Sequence, residues 1–223
     1  MPIAFDVIAF DLDGTLADTA PDLAASLNHV LRELGRDVIP PNMVRHLVGH
    51  GARSLIRKGL AVTGGSSEEL VERGYPLFMD YYGANICNGT MAFDGAEAAL
   101  DDLASRGIMP AICTNKPESL AVSLVQALGW AGRFAAIVGG DTLPTRKPDP
   151  AMVHESISRA GGGRAAFVGD SIIDAEAARA ARLPFVAVSF GFSDRPADQL
   201  GADRVIDSFA ELVPALEAVS AAP

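Results

Sequence analysis

The chain reads as an α/β protein: a Rossmann-like parallel sheet core with helices on both faces, carrying an inserted α-helical cap. Three observations predict this. Short apolar runs of strand length alternate with helical patterns over most of the sequence, and such alternation implies a parallel sheet covered on both sides. One long stretch, roughly residues 17–90, carries helical patterns alone. Polar clusters follow the apolar runs, at the strand ends where open parallel sheets bind ligands.

The run Phe5–Phe10 reads as a buried strand. Pro21 suits a first helical position. Leu23, Leu27, Val30, Leu31 and Leu34 then recur at helical spacing as far as Gly35. Helical material continues from Pro41 to about Asn85, with breaks near Gly49–Gly51 and Gly64–Ser67. Beyond Phe93 the alternation returns. Ala96–Arg106, Pro117–Leu128, Pro150–Ala160, Ile172–Ala181 and Phe209–Val219 read as helices. Ile108–Cys113, Ala135–Val138, Ala165–Val168, Phe185–Val188 and Arg204–Ile206 read as strands between them. The expected domains are therefore a core of residues 1–16 and 91–223 and a cap of residues 17–90, joined near Ala17–Ala20 and Ile86–Phe93.

Composition narrows the partners. The net charge of −10 repels a polyanion such as nucleic acid, and an anionic substrate then needs a local positive field. No apolar run reaches the roughly 18 residues of a membrane span, and the first residues lack a signal pattern. The expectation is a cytoplasmic protein that binds neither nucleic acid nor membrane; its oligomeric state stays open. Cys87 and Cys113 have no metal-type spacing, and Cys113, inside an apolar run, reads as a buried thiol.

The strand ends carry the chemistry. The first ends in Asp11-Leu12-Asp13-Gly14-Thr15; residues two apart in extended chain point the same way, so Asp11 and Asp13 face one pocket. Other ends supply Thr114-Asn115-Lys116, Lys147 within Arg146-Lys147-Pro148, and Gly169-Asp170-Ser171 with Asp174 one turn on. Four carboxylates gathered at one edge repel and need a cation; hard oxygen ligands suit Mg²⁺. Thr114, Asn115 and Lys147 offer donors to phosphate oxygens. The set points to phosphoryl transfer to a carboxylate and to a small anionic phosphorylated metabolite as substrate. Lys116 reads as a solvated loop lysine, Asp141 as a turn residue, Trp130 as packing beneath the loop after Gly129, and His29 and His154 as structural.

These four clusters, in this order, resemble the motifs of the haloacid dehalogenase superfamily, and the helical insert resembles its four-helix cap. More narrowly, Ala20-Pro21-Asp22-Leu23, Val48-Gly49-His50-Gly51-Ala52-Arg53, Thr114-Asn115-Lys116-Pro117, Gly139-Gly140-Asp141 and Arg146-Lys147-Pro148 are similar to the bacterial phosphatases of 2-phosphoglycolate. His50 and the segment Phe93-Asp94-Gly95 depart from the pattern of that group. The resemblance implies a Mg²⁺-dependent phosphoric monoester hydrolase acting through an aspartyl-phosphate on Asp11. Asp13 would be general acid and base, with its backbone carbonyl on the metal beside the carboxylates of Asp11 and Asp170. Thr114 and Asn115 would hold the phosphoryl group, Lys147 would neutralise charge, and Asp174 would support the metal from behind. A phosphatase of sugar phosphates, nucleotides or pyrophosphate, or a phosphomutase, shares these core motifs. A dehalogenase would need neither Asp13 nor Asp170.

The negative charge lies almost entirely outside the cap, where residues 17–90 carry 7 basic and 8 acidic side chains. No acid occurs between Asp37 and Glu68, a stretch holding Arg45, Arg53, Arg57, Lys58, His46 and His50. The expectation is a positive wall over the substrate, in which Arg53, with His50 and the Gly51 loop, grips a carboxylate through two parallel hydrogen bonds.

Overall fold

The computed structural model describes residues 3–49, 51–193 and 195–220. In chain order the elements are strands β1 (Val7–Phe10) and β2 (Ala17–Asp18), then helices α1 (Ala20–Glu33), α2 (Pro41–Val44), α3 (Ala52–Val62) and α4 (Glu68–Ala84). Strand β3 (Met91–Ala92), helix α5 (Ala96–Ser105), strand β4 (Met109–Cys113), helix α6 (Glu118–Ala127) and strand β5 (Ala136–Val138) follow. The remainder is α7 (Ala151–Arg159), β6 (Ala165–Gly169), α8 (Ile172–Ala181), β7 (Phe185–Val188), β8 (Arg204–Ile206) and α9 (Leu212–Ser220).

Six strands form one sheet in the order β5-β4-β1-β6-β7-β8, and every pairing in it is parallel. The order reverses at β1, so the ends of β1, β4 and β6 open side by side at a topological switch point. Side chains alternate along each strand between two apolar layers. Ile8, Phe10, Ile112 and Val168 pack with α5, α6 and α9 on one face. Val7, Ala9, Cys113 and Phe167 pack with α7 and α8 on the other. No helix among the described residues is long and apolar enough to cross a membrane.

Helices α1, α3 and α4 build a third apolar cluster around Leu27, Val30, Ile56, Leu60, Val71 and Phe78. Gly59 and Gly74 permit the close approach, since a Cβ at either would stand 2.7–2.8 Å from Leu27 or Val30. Two differences from the sequence reading stand out. The segments joining helices and sheet are not plain linkers, because β2 and β3 pair antiparallel, Ala17 opposite Ala92. The last helix starts later, after a 3-10 turn over Phe209–Glu211.

Buried Asp22 braces the same neck. From the first turn of α1 its carboxylate accepts hydrogen bonds from the backbone N–H of Gly89 (2.9 Å) and Thr90 (2.8 Å) and from the Thr90 hydroxyl (2.7 Å). Trp130 is buried, as expected, and its Nε1 donates to Glu97 at 2.7 Å. Asp141 has a defined task the sequence reading left open: its Oδ1 accepts from the N–H of Glu118 at 2.7 Å, satisfying a free donor at the start of α6. Cys113 is buried, as expected, and burial pushes its thiol up to about 12.

Candidate active site

Just past β1 the chain stays extended for a few residues: Asp11 N–H donates to Val168 of β6 at 3.0 Å. Leu12 turns back into the core, fully buried, so Asp11 and Asp13 both face a cleft between the strand ends and the helical insert. Gly14 then reverses the chain with φ +83, where a Cβ would stand 2.6 Å from Asp170 Oδ2. The turn has no room for a side chain precisely where Asp170 enters.

Lys147 is the buried cation of the site. Its Nζ lies 3.0 Å from Asp11 Oδ1 and 2.7 Å from Asp174 Oδ1. Burial alone would push the ammonium down, but the Asp11 and Asp174 carboxylates outweigh this and hold it above its ordinary range. Asp174 is fixed in turn. Its Oδ2 accepts from the N–H (3.1 Å) and hydroxyl (2.6 Å) of Ser171 in a capping box that opens α8. Both Asp174 oxygens are therefore taken, and its visible work is to aim Lys147 at Asp11.

Asp170 is buried, with Oδ1 accepting from the Thr15 hydroxyl at 2.9 Å and Oδ2 from the Phe192 N–H at 2.7 Å. Side-chain oxygens of Asp11, Asp170 and Asp174 lie within 4.8 Å of one another. Burial, reinforced by the neighbouring carboxylates, raises Asp170 to about 8; burial raises Asp11 to about 6 although Lys147 pulls it down. Counting Asp13, four carboxylates face two ammoniums here. The donor set, hard oxygens in formal charge excess, fits a divalent cation held by Asp11 and Asp170.

Thr114 and Asn115 sit at the end of β4, as read from the sequence, and both line the cleft. The Asn115 Nδ2 donates to the Lys147 carbonyl at 3.1 Å, leaving a second amide hydrogen free, while its Oδ1 is buried with no partner.

Lys116 is where the sequence reading fails. It is not a solvated loop lysine but a buried one. Its Nζ donates to both oxygens of Asp13, at 2.8 and 3.0 Å, and lies 2.6 Å from the hydroxyl of Tyr82, a fully buried residue of α4. Burial would lower the ammonium, but the Asp13 carboxylate and Tyr82 more than compensate and hold it raised. Burial likewise pushes the Tyr82 phenol well above its ordinary range.

Arg53 also needs correction. Its Nε and Nη2 bond the two oxygens of Glu72 at 2.7 and 3.2 Å, and the guanidinium lies 3.6 Å from the Tyr75 ring centre. It is not among the described residues that line the cleft, which include Gly49, Gly51 and Ala52 from the same loop. Two groups on α4 satisfy the fork that was expected to face substrate. Arg57 is paired likewise with Glu68 at 2.7 Å. Arg45 bonds Asp18 at 2.9 Å and the Phe190 carbonyl at 3.3 Å. The positive wall is thus largely neutralised by local pairing. His50 and the side chain of His46 lie outside the described residues.

Residues 8–188 match the model of the haloacid dehalogenase-like hydrolases. The chain is 44% identical over 210 residues to a phosphoglycolate phosphatase of Agrobacterium fabrum, covering 93% of this chain and 90% of that one. It is 41% identical over 212 residues to a phosphoglycolate phosphatase of Caulobacter vibrioides, covering 92% and 88%. A crystal structure from Haemophilus somnus, described as a predicted phosphoglycolate phosphatase, superposes with a TM-score of 0.88 at 30% identity, covering 95% of this chain and 97% of that one.

Proposed function

The chain belongs to the haloacid dehalogenase-like hydrolases, and from that premise we propose that it hydrolyses 2-phosphoglycolate to glycolate and phosphate through an aspartyl-phosphate on Asp11. It is a phosphoric monoester hydrolase; the substrate, the intermediate and the metal are the proposed part. The observation that carries the mechanism is Asp11 itself, a buried carboxylate on the cleft wall with a lysine ammonium at 3.0 Å and a second carboxylate two residues on. The observation that carries the substrate is the similarity to two phosphoglycolate phosphatases over about nine-tenths of the chain.

Residues 17–90 act as the cap over the core of residues 1–16 and 91–223. Asp11 Oδ1 is occupied by the Leu12 N–H at 2.8 Å and by Lys147, which leaves Oδ2 to attack phosphorus. The new O–P bond forms as the bond from phosphorus to the ester oxygen breaks, and Asp13 gives its proton to that leaving oxygen. Asp13 then takes a proton from water as the water oxygen attacks phosphorus, releasing phosphate and restoring the Asp11 carboxylate. Lys147, Thr114 and the free Asn115 hydrogen place and neutralise the phosphoryl oxygens. Asp11, Asp170 and the Asp13 carbonyl would hold Mg²⁺, which supplies charge neutralisation for the phosphoryl group.

The test is phosphate release by purified protein from 2-phosphoglycolate and a panel of sugar phosphates, nucleotides and pyrophosphate, with Mg²⁺ or with chelator. The expected result is the highest kcat/KM on 2-phosphoglycolate and its loss with chelator. Faster turnover of a substrate lacking a carboxylate would overturn the substrate; undiminished turnover in chelator would overturn the metal.

A further inference from the structure

The phosphoryl end of the site has its cation in Lys147. The other end of the proposed substrate carries a carboxylate, and the expected partner, Arg53, is engaged elsewhere. Among the described residues that line the cleft, Lys116 is the one cationic side chain. Its ammonium stands at the seam between strand end and cap, with Asp13 on one side and the Tyr82 hydroxyl on the other. Phe78, Tyr82 and Leu120 make the wall around it apolar.

We propose that Lys116, with the hydroxyl of Tyr82, is the receptor for the anionic tail of the substrate, so that the cleft selects short phosphoesters bearing a carboxylate close to the ester oxygen. The inference rests on the phosphoglycolate reading above and assigns its carboxylate a place.

The geometry sets the length of the substrate. Asp13 serves the leaving oxygen, so that oxygen comes within one hydrogen bond of the Asp13 carboxyl. Lys116 Nζ is already one hydrogen bond from the same carboxyl. Leaving oxygen and ammonium are therefore at most about 5–6 Å apart, two hydrogen-bond lengths. A carboxylate one carbon beyond the ester carbon bridges that gap. A long or branched tail would run into the wall formed by Phe78 and Leu120.

The chemistry fits as well. An ammonium is a compact charge with three donors. Two now serve Asp13 and the third direction faces the Tyr82 oxygen. A substrate carboxylate can replace one Asp13 oxygen on Lys116 and accept the Tyr82 O–H, so no buried charge is left unpaired. Arg146 also approaches this loop, with Nη1 3.7 Å from where a Gly51 Cβ would stand, but its exposed side chain lies on the solvent side of the cleft wall.

The experiment measures kcat/KM for 2-phosphoglycolate and for 2-hydroxyethyl phosphate, which puts CH2OH where the carboxylate stands. The ratio of the two values is the readout, because any effect of Lys116 through Asp13 acts on both substrates and cancels. Wild type is expected to favour phosphoglycolate. Lys116→Gln should lower the ratio about 10–100-fold, as for a lost charged hydrogen bond. Tyr82→Phe, which removes one oxygen and keeps the ring, should lower it about 3–10-fold and covers the case in which Lys116→Gln does not fold. A ratio unchanged in the folded variants overturns the assignment alone. A wild-type enzyme with no preference overturns the phosphoglycolate reading and this inference together.

Discussion

Asp22→Asn tests whether the neck of the molecule is braced as the hydrogen bonds indicate. The buried Asp22 carboxylate receives the Gly89 N–H, the Thr90 N–H and the Thr90 O–H at 2.7–2.9 Å. An asparagine keeps the shape but retains one acceptor oxygen and turns an NH2 toward a donor. Hydrogen bonds to a charged group are worth about 1.5–3 kcal/mol each, and a stranded buried donor costs about 1–3 kcal/mol. The contributions are not additive, so the expected loss is about 2–4 kcal/mol. At about 2–4 °C per kcal/mol for a chain of this size, Tm should fall by about 4–16 °C. The alternative, an acid that merely favours the first turn of α1, is worth about 0.3–1 kcal/mol. Urea unfolding followed by far-ultraviolet circular dichroism and by the single tryptophan, Trp130, separates the two. Because Trp130 packs with the sheet, loosening of the helical insert should appear first in the dichroism. A loss below about 1 kcal/mol, with the two probes coincident as in wild type, would refute the brace.

Asp13→Asn should cost about 10²–10⁴-fold in kcat with an alkyl phosphate and distinctly less with p-nitrophenyl phosphate, whose leaving group needs little protonation; equal losses would contradict the acid role. The metal-free protein should lose stability as pH rises. Asp11 and Asp170 are raised from 3.8 to about 6 and about 8 by burial, so the native state holds more protons than the unfolded chain. Their contribution is then whole below about pH 4 and lost progressively up to about pH 8. Thermal unfolding in chelator should show this, Mg²⁺ should stabilise more at pH 8 than at pH 5, and Asp170→Asn should flatten the slope; a metal-free Tm that rises through this range for wild type but not Asp170→Asn would contradict it. Arg53→Ala should cost at most about 1 kcal/mol in thermal unfolding, as for an exposed ion pair, and leave the ratio of kcat/KM between phosphoglycolate and 2-hydroxyethyl phosphate unchanged; a fall of that ratio by more than about tenfold would return Arg53 to the substrate.

Strand–helix alternation and the polar strand ends were legible because both are local. An apolar run of four to six residues and a following Asp-x-Asp announce themselves wherever they occur, and parallel pairing then brings Asp11, Thr114 and Asp170 to one edge. What escaped depends on partners far along the chain. Lys116 is 103 residues from Asp13 and 34 from Tyr82, so within Thr114-Asn115-Lys116-Pro117 it looks like any loop lysine. The acid-free stretch between Asp37 and Glu68 looked like a free positive wall. Its neutralising acids, Glu68 and Glu72, follow directly at the start of α4, and packing of α3 on α4 pairs Arg57 and Arg53 with them. The two-residue strands β2 and β3 are too short to carry a period.

Rapid acid quench of the enzyme during turnover of 2-phosphoglycolate with Mg²⁺, followed by peptide mass analysis, tests the central claim most directly. The account predicts one phosphoryl group on the peptide containing Asp11, labile to hydroxylamine as an acyl phosphate is, and none in Asp11→Asn. Full turnover with no phosphorylated peptide at any quench time, or with the phosphoryl group on a different residue, would contradict it.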